Sequence, residues 1–148
     1  MSPKPLLKTK SPRHPHLKIG KTIYGLGVFT RRPIRKGEQV GIITGDVMDE
    51  NEYDSSYCMD LGHSKVLEPR NIFRRMNHSC NPNCELIAFE DPQDHRILVE
   101  AIRDIAQGEE LAIDYAWPSE FAIRCLCGDH SCRGWIVHPN ELESMPAE

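Results

Sequence analysis

The chain has 148 residues, with 18 lysines and arginines, 22 acidic residues and a net charge of −4. This length suggests one domain that buries a core without disulfides, and no apolar run approaches the roughly 20 residues needed to span a bilayer. The first residues also lack the apolar stretch of a secretory signal. These features argue against membrane-spanning and secreted proteins, and they predict an intracellular, reducing setting in which clustered cysteines bind metal more often than they form disulfides.

The charge is unevenly distributed along the chain. Residues 1–37 hold ten of the basic residues, and Glu38 is the first carboxylate. Residues 38–148 then carry eight basic and twenty-two acidic residues, a net charge of −14, with Lys65 as their only lysine. An acidic body favours basic partners through its field, although a solvated surface explains the same composition.

In chain order, the pattern predicts a basic arm followed by short strands. Residues 1–16 hold four prolines and predict a flexible arm, in which His14 and His16 are expected to be solvated. The ordered part is expected to begin near Leu17, and period-2 patterns with glycine and proline punctuation indicate strands. These segments are "LKIGKTIYGLGVFT" (17–30), "EQVGIITGDVM" (38–48, a strand pair), "KVLEP" (65–69), "HRILVEAIRDI" (95–105) and "ELAIDYAW" (110–117), with one or two helical turns in "RNIFRRMN" (70–77). The fold class predicted is mostly β.

A faint internal repeat joins two of these regions. "IRKGEQV" (34–40) and "IAQGEEL" (105–111) share the pattern I-x-x-G-E-x-[V/L]. In each copy a glycine-containing turn leads into an apolar strand. A common turn used twice explains the pattern as well as a structural relation does.

The segment "ELAIDYAW" has a strict alternation. Alternate residues of a strand share a face, so Leu111, Ile113, Tyr115 and Trp117 are expected on one side and Asp114 on the other. A tyrosine in such a row is ordinarily a core residue with a satisfied hydroxyl.

Cysteines are concentrated near the end of the chain. "RCLCGDHSCRGW" has C-x-C-x4-C spacing, and these thiols are Cys125, Cys127 and Cys132. Structural zinc sites take four ligands, so a fourth is needed. Cys80 in the turn "NHSCNPNC" is favoured over His130, whose spacing from Cys132 is poor, and Cys84 is a further alternative. Cys58 and Cys84 are otherwise expected to be small buried residues.

Two more segments carry polar or conformational signals. "YGLGVF" (24–29) contains Gly25 and Gly27, which let backbone approach a ligand closely, although a G-x-G alone is usually a turn. The chain has no P-loop and no G-x-G-x-x-G. The segment "RRMNHSCNPNC" (74–84) crowds four polar side chains into seven residues, which indicates either local turn bonding or a buried, organised corner: Asn77, His78, Asn81 and Asn83.

Taken in order, "YGLGVF", "YCMDLG", "NHSCNPNC", "GEELAIDYAW" and "CLCGDHSCRGW" resemble the SET-domain protein lysine methyltransferases with a zinc-binding post-SET segment. The resemblance runs from about Lys18 to about Val137. It implies a β-clip-like SET fold of short strands, with a C-terminal pseudoknot between the "NHSC" segment and the last strand. It also implies a division into an arm (1–16), a SET domain (17–120, with a short insert at 46–56), a post-SET zinc segment (121–138) and a tail (139–148).

The resemblance further implies transfer of a methyl group from S-adenosylmethionine to lysine. The implied catalytic residues are Tyr115 and Tyr57, the lysine channel is Ile113, Tyr115 and Trp117, and one structural Zn²⁺ is held by Cys80, Cys125, Cys127 and Cys132. The implied cofactor-binding residues are Tyr24, Gly25, Leu26, Gly27, Tyr57, Arg74, Asn77, His78, Leu126 and Trp135.

Two positions depart from the family pattern. An aromatic residue commonly follows the arginine before N-H-S-C, and here Arg75 and then Met76 stand there. Ile113, two residues before the tyrosine, commonly corresponds to Phe or Tyr in the family, and its lack of a hydroxyl favours di- or trimethylation.

The expected partner is a basic, lysine-containing protein such as a histone, drawn by the acidic body. Lys4, Lys8 and Lys10 of the arm are candidate targets of self-methylation. A nuclear, chromatin-associated location is expected for a eukaryotic source, and a cytoplasmic or host-directed one for a bacterial or viral source. Two alternatives are a catalytically weak SET-like zinc module that binds protein, and a zinc module whose arm touches nucleic-acid phosphates. The acidic body argues against direct nucleic-acid binding beyond weak contacts through the arm.

Overall fold

A computed structural model describes residues 13–52 and 55–146. Within these residues the chain forms twelve β-strands and three 3₁₀ helices and no α-helix, which confirms the mostly β prediction. The strands are Leu17–Thr22 (β1), Gly25–Thr30 (β2), Gln39–Ile43 (β3), Gly45–Asp49 (β4), Met59–Gly62 (β5), Lys65–Pro69 (β6), Asn77–His78 (β7), Cys84–Ala88 (β8), Ile97–Ala101 (β9), Glu110–Ile113 (β10), Ile123–Arg124 (β11) and Trp135–Ile136 (β12). The 3₁₀ helices are Ile72–Arg75, Ser119–Phe121 and Pro139–Ser144.

The strands make four small sheets. Their orders are β1-β2-β10-β7, β3-β9-β8, β4-β6-β5 and β11-β12. The hairpin expected in residues 17–30 is present, since β1 and β2 pair antiparallel from Leu17–Thr30 to Thr22–Gly25. The short β7 runs parallel to the end of β10. This pair places the "NHSC" segment beside β10, the strand of the "GEELAIDYAW" motif.

The strand pair expected in residues 38–48 is wrong in one respect. Both strands form, but β3 pairs with β9 and β4 pairs with β6. Only Thr44 lies between them, so the chain turns from one sheet into another without space for a hairpin. Gly45 sits at this corner against β6, where a Cβ atom would lie 1.9 Å from the carbonyl oxygen of Glu68.

The strand predicted through Trp117 ends earlier, at Ile113. Ala116 adopts a left-handed backbone conformation with φ of +47°, which strand geometry does not allow. Tyr115 and Trp117 therefore occupy a turn rather than one face of a strand. Their rings still lie near each other, with centroids 5.4 Å apart.

The two copies of the internal repeat meet in the fold. Ile34 and Ile105, the first residue of each copy, form an antiparallel bridge with N–O distances of 2.9 and 2.8 Å. The glycine amide of each copy reaches the strand that precedes the other copy: Gly37 donates to Ala101, and Gly108 donates to Thr30. The repeat is therefore a reciprocal structural unit and more than a turn used twice.

The hydrophobic core lies between the sheets and includes Phe73 from the first 3₁₀ helix. Its largest fully buried side chains come from many elements: Phe73, Ile34, Ile43, Leu67, Ile97, Ile105, Leu111, Val28, Val40, Val99 and Val137. No helix in the described part of the chain is long and apolar enough to cross a membrane.

The expectation that His14 and His16 are solvated is wrong. His14 Nε2 accepts a hydrogen bond from the Ile42 amide at 3.2 Å, and its ring packs against Phe73 with centroids 4.9 Å apart. His16 Nε2 lies 3.1 Å from the Val40 carbonyl oxygen, to which it donates. Burial and the neighbouring His16 lower the pKa of His14. Lys4, Lys8 and Lys10 of the predicted arm lie outside the described residues.

Asn83 joins the "NHSCNPNC" turn to β10. Its side-chain amide donates to the Glu110 carbonyl at 2.8 Å and to the Glu109 carboxylate at 2.9 Å. Its side-chain oxygen accepts from the Ala112 amide at 2.9 Å. Asn83 is 2 % exposed, and its loss would remove the side-chain partners of the Ala112 amide and the Glu110 carbonyl, whereas Glu109 would still accept from Arg103 and the Ala106 amide.

Replacing Asn83 by alanine is expected to lower the free energy of unfolding by about 3 kcal/mol, because each buried group left unpaired costs roughly 1–3 kcal/mol. Urea unfolding followed by circular dichroism measures the change. Asn81→Ala is the matched control, because Asn81 is exposed and its side-chain amide donates to Asp129 at 3.2 Å. The control should cost less than about 0.5 kcal/mol, and an equal loss in both variants would contradict the role of Asn83.

Candidate functional site

Four cysteines gather beside the β7–β10 contact. The Sγ atoms of Cys80, Cys125, Cys127 and Cys132 all lie within 4.8 Å of one another, and those of Cys80 and Cys125 are 3.7 Å apart. A tetrahedral zinc with Zn–S bonds of about 2.3 Å requires S–S separations of about 3.8 Å. The cluster therefore fits a closed four-thiolate site.

The alternatives for the fourth position lie elsewhere. Cys84 is 1 % exposed in the hydrophobic core, where burial raises its pKa to about 12. His130 is exposed and outside the cluster. Cys58 is half-buried rather than buried as expected, and its thiol donates to Glu68 at 3.1 Å.

Backbone amides stabilise negative charge on the cysteine cluster. The amide of Arg133 lies 3.4 Å from Cys80 Sγ, and the amide of Gly134 lies 3.4 Å from Cys132 Sγ. Burial disfavours the thiolate of Cys127, but amide and thiol hydrogen bonds outweigh it and lower its pKa to about 7, whereas burial raises the pKa of Cys80 and of Cys125. Thiolates are the form that binds zinc, so these donors suit a metal site.

His78 connects the cysteine cluster to Tyr115. Its Nδ1 accepts a hydrogen bond from the Tyr115 amide at 3.0 Å, and its Nε2 lies 3.4 Å from Cys80 Sγ. The imidazole is buried, and burial lowers its pKa. These contacts favour a neutral tautomer with the proton on Nε2, directed at the thiolate.

The glycine loop at the start of β2 lies against β10 and Asn77. The side-chain amide of Asn77 donates to the Leu26 carbonyl at 3.0 Å and to the Glu110 carboxylate at 2.8 Å. A Cβ atom on Gly27 would lie 2.6 Å from Glu110 Oε2. A side chain at Gly27 would require the side chains of Glu110 and Thr22 to shift. Gly25 has φ of +112°, which also favours glycine.

Several large apolar side chains around this loop are exposed. Tyr24 is 44 % exposed, Leu26 is 42 % exposed and Leu126 is 70 % exposed. Partial burial and the nearby cluster cysteines raise the pKa of Tyr24, which indicates that the glycine loop and the cysteine cluster are neighbours. The guanidinium of Arg124 lies 4.2 Å from the ring centroid of Trp135.

Tyr115 also lines a cavity of about 710 Å³. It is lined by five of the predicted site residues: Tyr57, Arg74, Ile113, Tyr115 and Trp117. The other predicted cofactor residues are not in its lining: Tyr24, Gly25, Leu26, Gly27, Asn77, His78, Leu126 and Trp135. The predicted residues thus form two groups, and the His78–Tyr115 contact links them.

Tyr115 is held from two sides. Its hydroxyl donates to the Met76 carbonyl at 2.5 Å, and its ring lies edge-on to His78 with centroids 5.4 Å apart. Burial raises its pKa to about 12. Met76, rather than the exposed Arg75, is packed beneath this ring region, at 2 % exposure.

Sequence reasoning missed Glu68, which binds Arg74 in the lining of the cavity. Glu68 accepts from Arg74 at 2.7 Å, and the Arg74 guanidinium lies 4.0 Å from the centroid of the Tyr57 ring. Burial raises the pKa of Glu68, but the hydrogen bonds from Arg74 and Cys58 outweigh this effect and lower it. Val66, Leu67 and Glu68 are all buried, so β6 has no alternation that would have identified a functional carboxylate.

The chain is similar to known methyltransferases over most of its length. The family model for the SET domain matches residues 25–116. Histone-lysine N-methyltransferase trr of Drosophila melanogaster is 34 % identical over 131 residues, covering 77 % of this chain and 5 % of the relative. Histone-lysine N-methyltransferase ATX2 of Arabidopsis thaliana is 33 % identical over 149 residues, covering 88 % of this chain and 14 % of the relative. A relative in Schizosaccharomyces pombe, "Histone-lysine N-methyltransferase, H3 lysine-4 specific", is 32 % identical over 130 residues. The match covers 77 % of this chain and 14 % of the relative.

This chain thus spans only 5–14 % of the length of these curated relatives. The similarity therefore concerns one region of much larger proteins. The family model nevertheless matches more than half of this chain, and the mostly β fold agrees with it. The chain belongs to the SET-domain family.

Proposed function

We propose that this protein is a protein-lysine N-methyltransferase that moves a methyl group from S-adenosylmethionine to a lysine of a basic, histone-like protein. The observation that carries the proposal is the position of Tyr115, which lines the cavity and contacts His78 beside the glycine loop and the cysteine cluster. The names of the relatives support a histone substrate. Such a substrate would bring the protein to chromatin in a eukaryotic cell.

The glycine loop and its neighbours are the proposed cofactor site. When bound there, S-adenosylmethionine would supply an electrophilic methyl group on a sulfonium. Three exposed side chains offer apolar surface that a nucleoside would cover: Tyr24, Leu26 and Leu126. The absence of a side chain at Gly25 and Gly27 allows close approach to the backbone. The remaining contacts proposed are Tyr57, Arg74, Asn77, His78 and Trp135.

The cavity is the proposed lysine channel. A free lysine has a pKa near ~10.4 and must lose a proton before it can attack. The cavity has an apolar wall that disfavours the ammonium by desolvation, formed by Ile113, Tyr115 and Trp117. Two acidic side chains without a role in the Arg133 pair also line the cavity and favour a cationic side chain as it enters: Glu50 and Asp60.

Tyr115 and Tyr57, which both line the cavity, are the proposed catalytic residues. Because the hydroxyl hydrogen of Tyr115 is engaged by the Met76 carbonyl, its oxygen keeps lone pairs that can accept from the substrate amine. Holding the amine in line with the reacting methyl group can supply several of the roughly 7–11 kcal/mol available from positioning. Solvent water takes the proton from the amine.

The cysteine cluster is the proposed site of one structural Zn²⁺. Four thiolates leave no open coordination position, so the ion would order residues 121–138 (the zinc tail) and take no part in the chemistry. The zinc tail includes Trp135, whose strand β12 pairs with β11. A metal that holds this segment against Cys80 would keep Trp135 near the cofactor site.

Cys80→Ser is expected to lose its zinc and to weaken S-adenosylmethionine binding at least tenfold, because the zinc tail is then released from β7. Zinc per chain is measured by elemental analysis and binding by calorimetry. Cys58→Ser is the matched control, because Cys58 lies outside the cluster, and it should keep one zinc per chain. A Cys80→Ser protein with a full zinc complement would refute the ligand set.

Titration of the zinc-replete protein with S-adenosylmethionine, without substrate, is expected to show one site. Asn77→Ala should lower the affinity at least tenfold, because Asn77 fixes the Leu26 carbonyl and the Glu110 carboxylate. Asn81→Ala should bind as the wild-type protein does. No binding to a folded, zinc-containing protein would instead favour the alternative of a SET-like module that only binds protein.

The kcat/KM for a lysine peptide is expected to rise from pH 7 to about 9.5, because deprotonation of a substrate amine of pKa near ~10.4 limits the rate. Tyr115, with its pKa raised to about 12, stays protonated throughout this range. Initial rates with labelled methyl donor measure the profile. Tyr115→Phe should reduce kcat at least a hundredfold while keeping the same pH dependence, and a fall in wild-type rate between pH 8 and 9.5 without unfolding would contradict this assignment.

A further inference from the structure

Arg133 connects the cysteine cluster, the zinc tail and the turn that carries Tyr115. Its backbone amide lies 3.4 Å from Cys80 Sγ. Its guanidinium Nη2 donates to Asp114 Oδ1 at 2.8 Å and to the Val137 carbonyl at 3.0 Å. One residue therefore contacts all three parts of the site.

Asp114 in turn shapes the backbone around Tyr115. The same Oδ1 atom that meets Arg133 accepts a hydrogen bond from the Ala116 amide at 2.9 Å. Ala116 has φ of +47°, a conformation that non-glycine residues adopt only when surrounding contacts impose it. Tyr115 lies between these two residues, so the Asp114 carboxylate determines how its backbone leaves β10.

The Arg133–Asp114 pair differs from an ordinary surface ion pair. The Arg133 side chain is 12 % exposed and the Asp114 side chain 23 % exposed. Arg133 Nε is buried and has no hydrogen-bond partner among the described residues. A single guanidinium nitrogen serves two acceptors from different segments, a geometry that the point charge of lysine matches less well. This arrangement favours a positional role over a gain in stability.

We propose that Arg133 is a positioning residue for methyl transfer. It acts through Asp114 to hold Tyr115 when residues 121–138 are joined to Cys80 in the cysteine cluster. The proposal rests on the proposed function, because it assigns Arg133 a part in the same reaction. The proposal predicts that the backbone around Tyr115 is held in place only when residues 121–138 are, and the reverse. A residue that contacts neither substrate nor cofactor would then control kcat.

The test is a double-mutant cycle with Arg133→Gln and Asp114→Asn. Asn keeps the side-chain oxygen that accepts from Ala116 and removes only the charge. Each single variant is expected to lower kcat at least tenfold with KM for the peptide changed less than threefold. The double variant should lose no more than the worse single variant, because both changes break one interaction. Arg133→Lys should recover part of kcat.

Zinc release to a chromogenic chelator gives a readout separate from activity. Asp114 lies outside the cysteine cluster, yet Asp114→Asn should release zinc at least threefold faster than the wild-type protein, because the loss of charge weakens the hold of Asp114 on Arg133. Arg96→Gln is the matched control: Arg96 forms an Arg–Asp pair with Asp94 at 2.7 Å and should leave both kcat and zinc release unchanged.

Additive losses in the double variant, or a wild-type rate of zinc release from Asp114→Asn, would overturn the proposal. Circular dichroism and zinc content confirm that each variant folds before its kinetics are compared. A wild-type protein that binds zinc but transfers no methyl group would refute the proposed function instead. The zinc-release comparison would still decide whether Arg133 couples the two regions.

Discussion

Two residues of β7 lie parallel to the end of β10, and most of the candidate site is built around this contact. The pairing sets Asn77 beside Ala112 and His78 beside Ile113. It brings Asn77 to the glycine loop, His78 to Tyr115, and Cys80 to the cysteines of the zinc tail. A shift of this register by one residue would exchange the directions of the Asn77 and His78 side chains, and both groups of site residues would come apart.

Such a short strand pair depends on side chains to hold it. Asn83 supplies three side-chain hydrogen bonds to Glu109, Glu110 and Ala112 within a nearly dry environment. Buried polar groups are costly unless they are satisfied, and satisfied ones specify a single arrangement. The polar density of "NHSCNPNC", which local turn bonding would also explain, is therefore largely a long-range network.

Two residues connect the proposed metal site to the proposed catalytic tyrosine, Tyr115. His78 lies between Cys80 Sγ and the Tyr115 amide, and Arg133 lies between Cys80 Sγ and Asp114. Two parallel routes thus lead from one cysteine to the turn around Tyr115. Groups that orient metal ligands commonly reach further into a site than the ligands themselves. In this fold they extend to the wall of the cavity.

The amino-acid sequence by itself determined the mostly β class, the β1–β2 hairpin and the positions of β6 and β9, because these depend on local alternation and turn residues. The spacing of Cys125, Cys127 and Cys132 indicated a metal site, and Cys80 was favoured as a fourth ligand. The order of motifs indicated the SET family. Local pattern did not show that β10 ends at Ile113, that β3 and β4 enter different sheets, or that β8 follows the asparagine-rich turn.

Only the tertiary structure decided which residues meet across long separations. Four such contacts depend on how the sheets cross: Glu68 with Arg74, Arg74 with Tyr57, Arg133 with Asp114, and His14 with Ile42. A buried carboxylate in β6 and a histidine near the arm have no local signature, because a residue's neighbours in sequence do not specify its partner in space. The chemistry of each side chain was readable from the sequence, whereas its partner was set by the path of the chain.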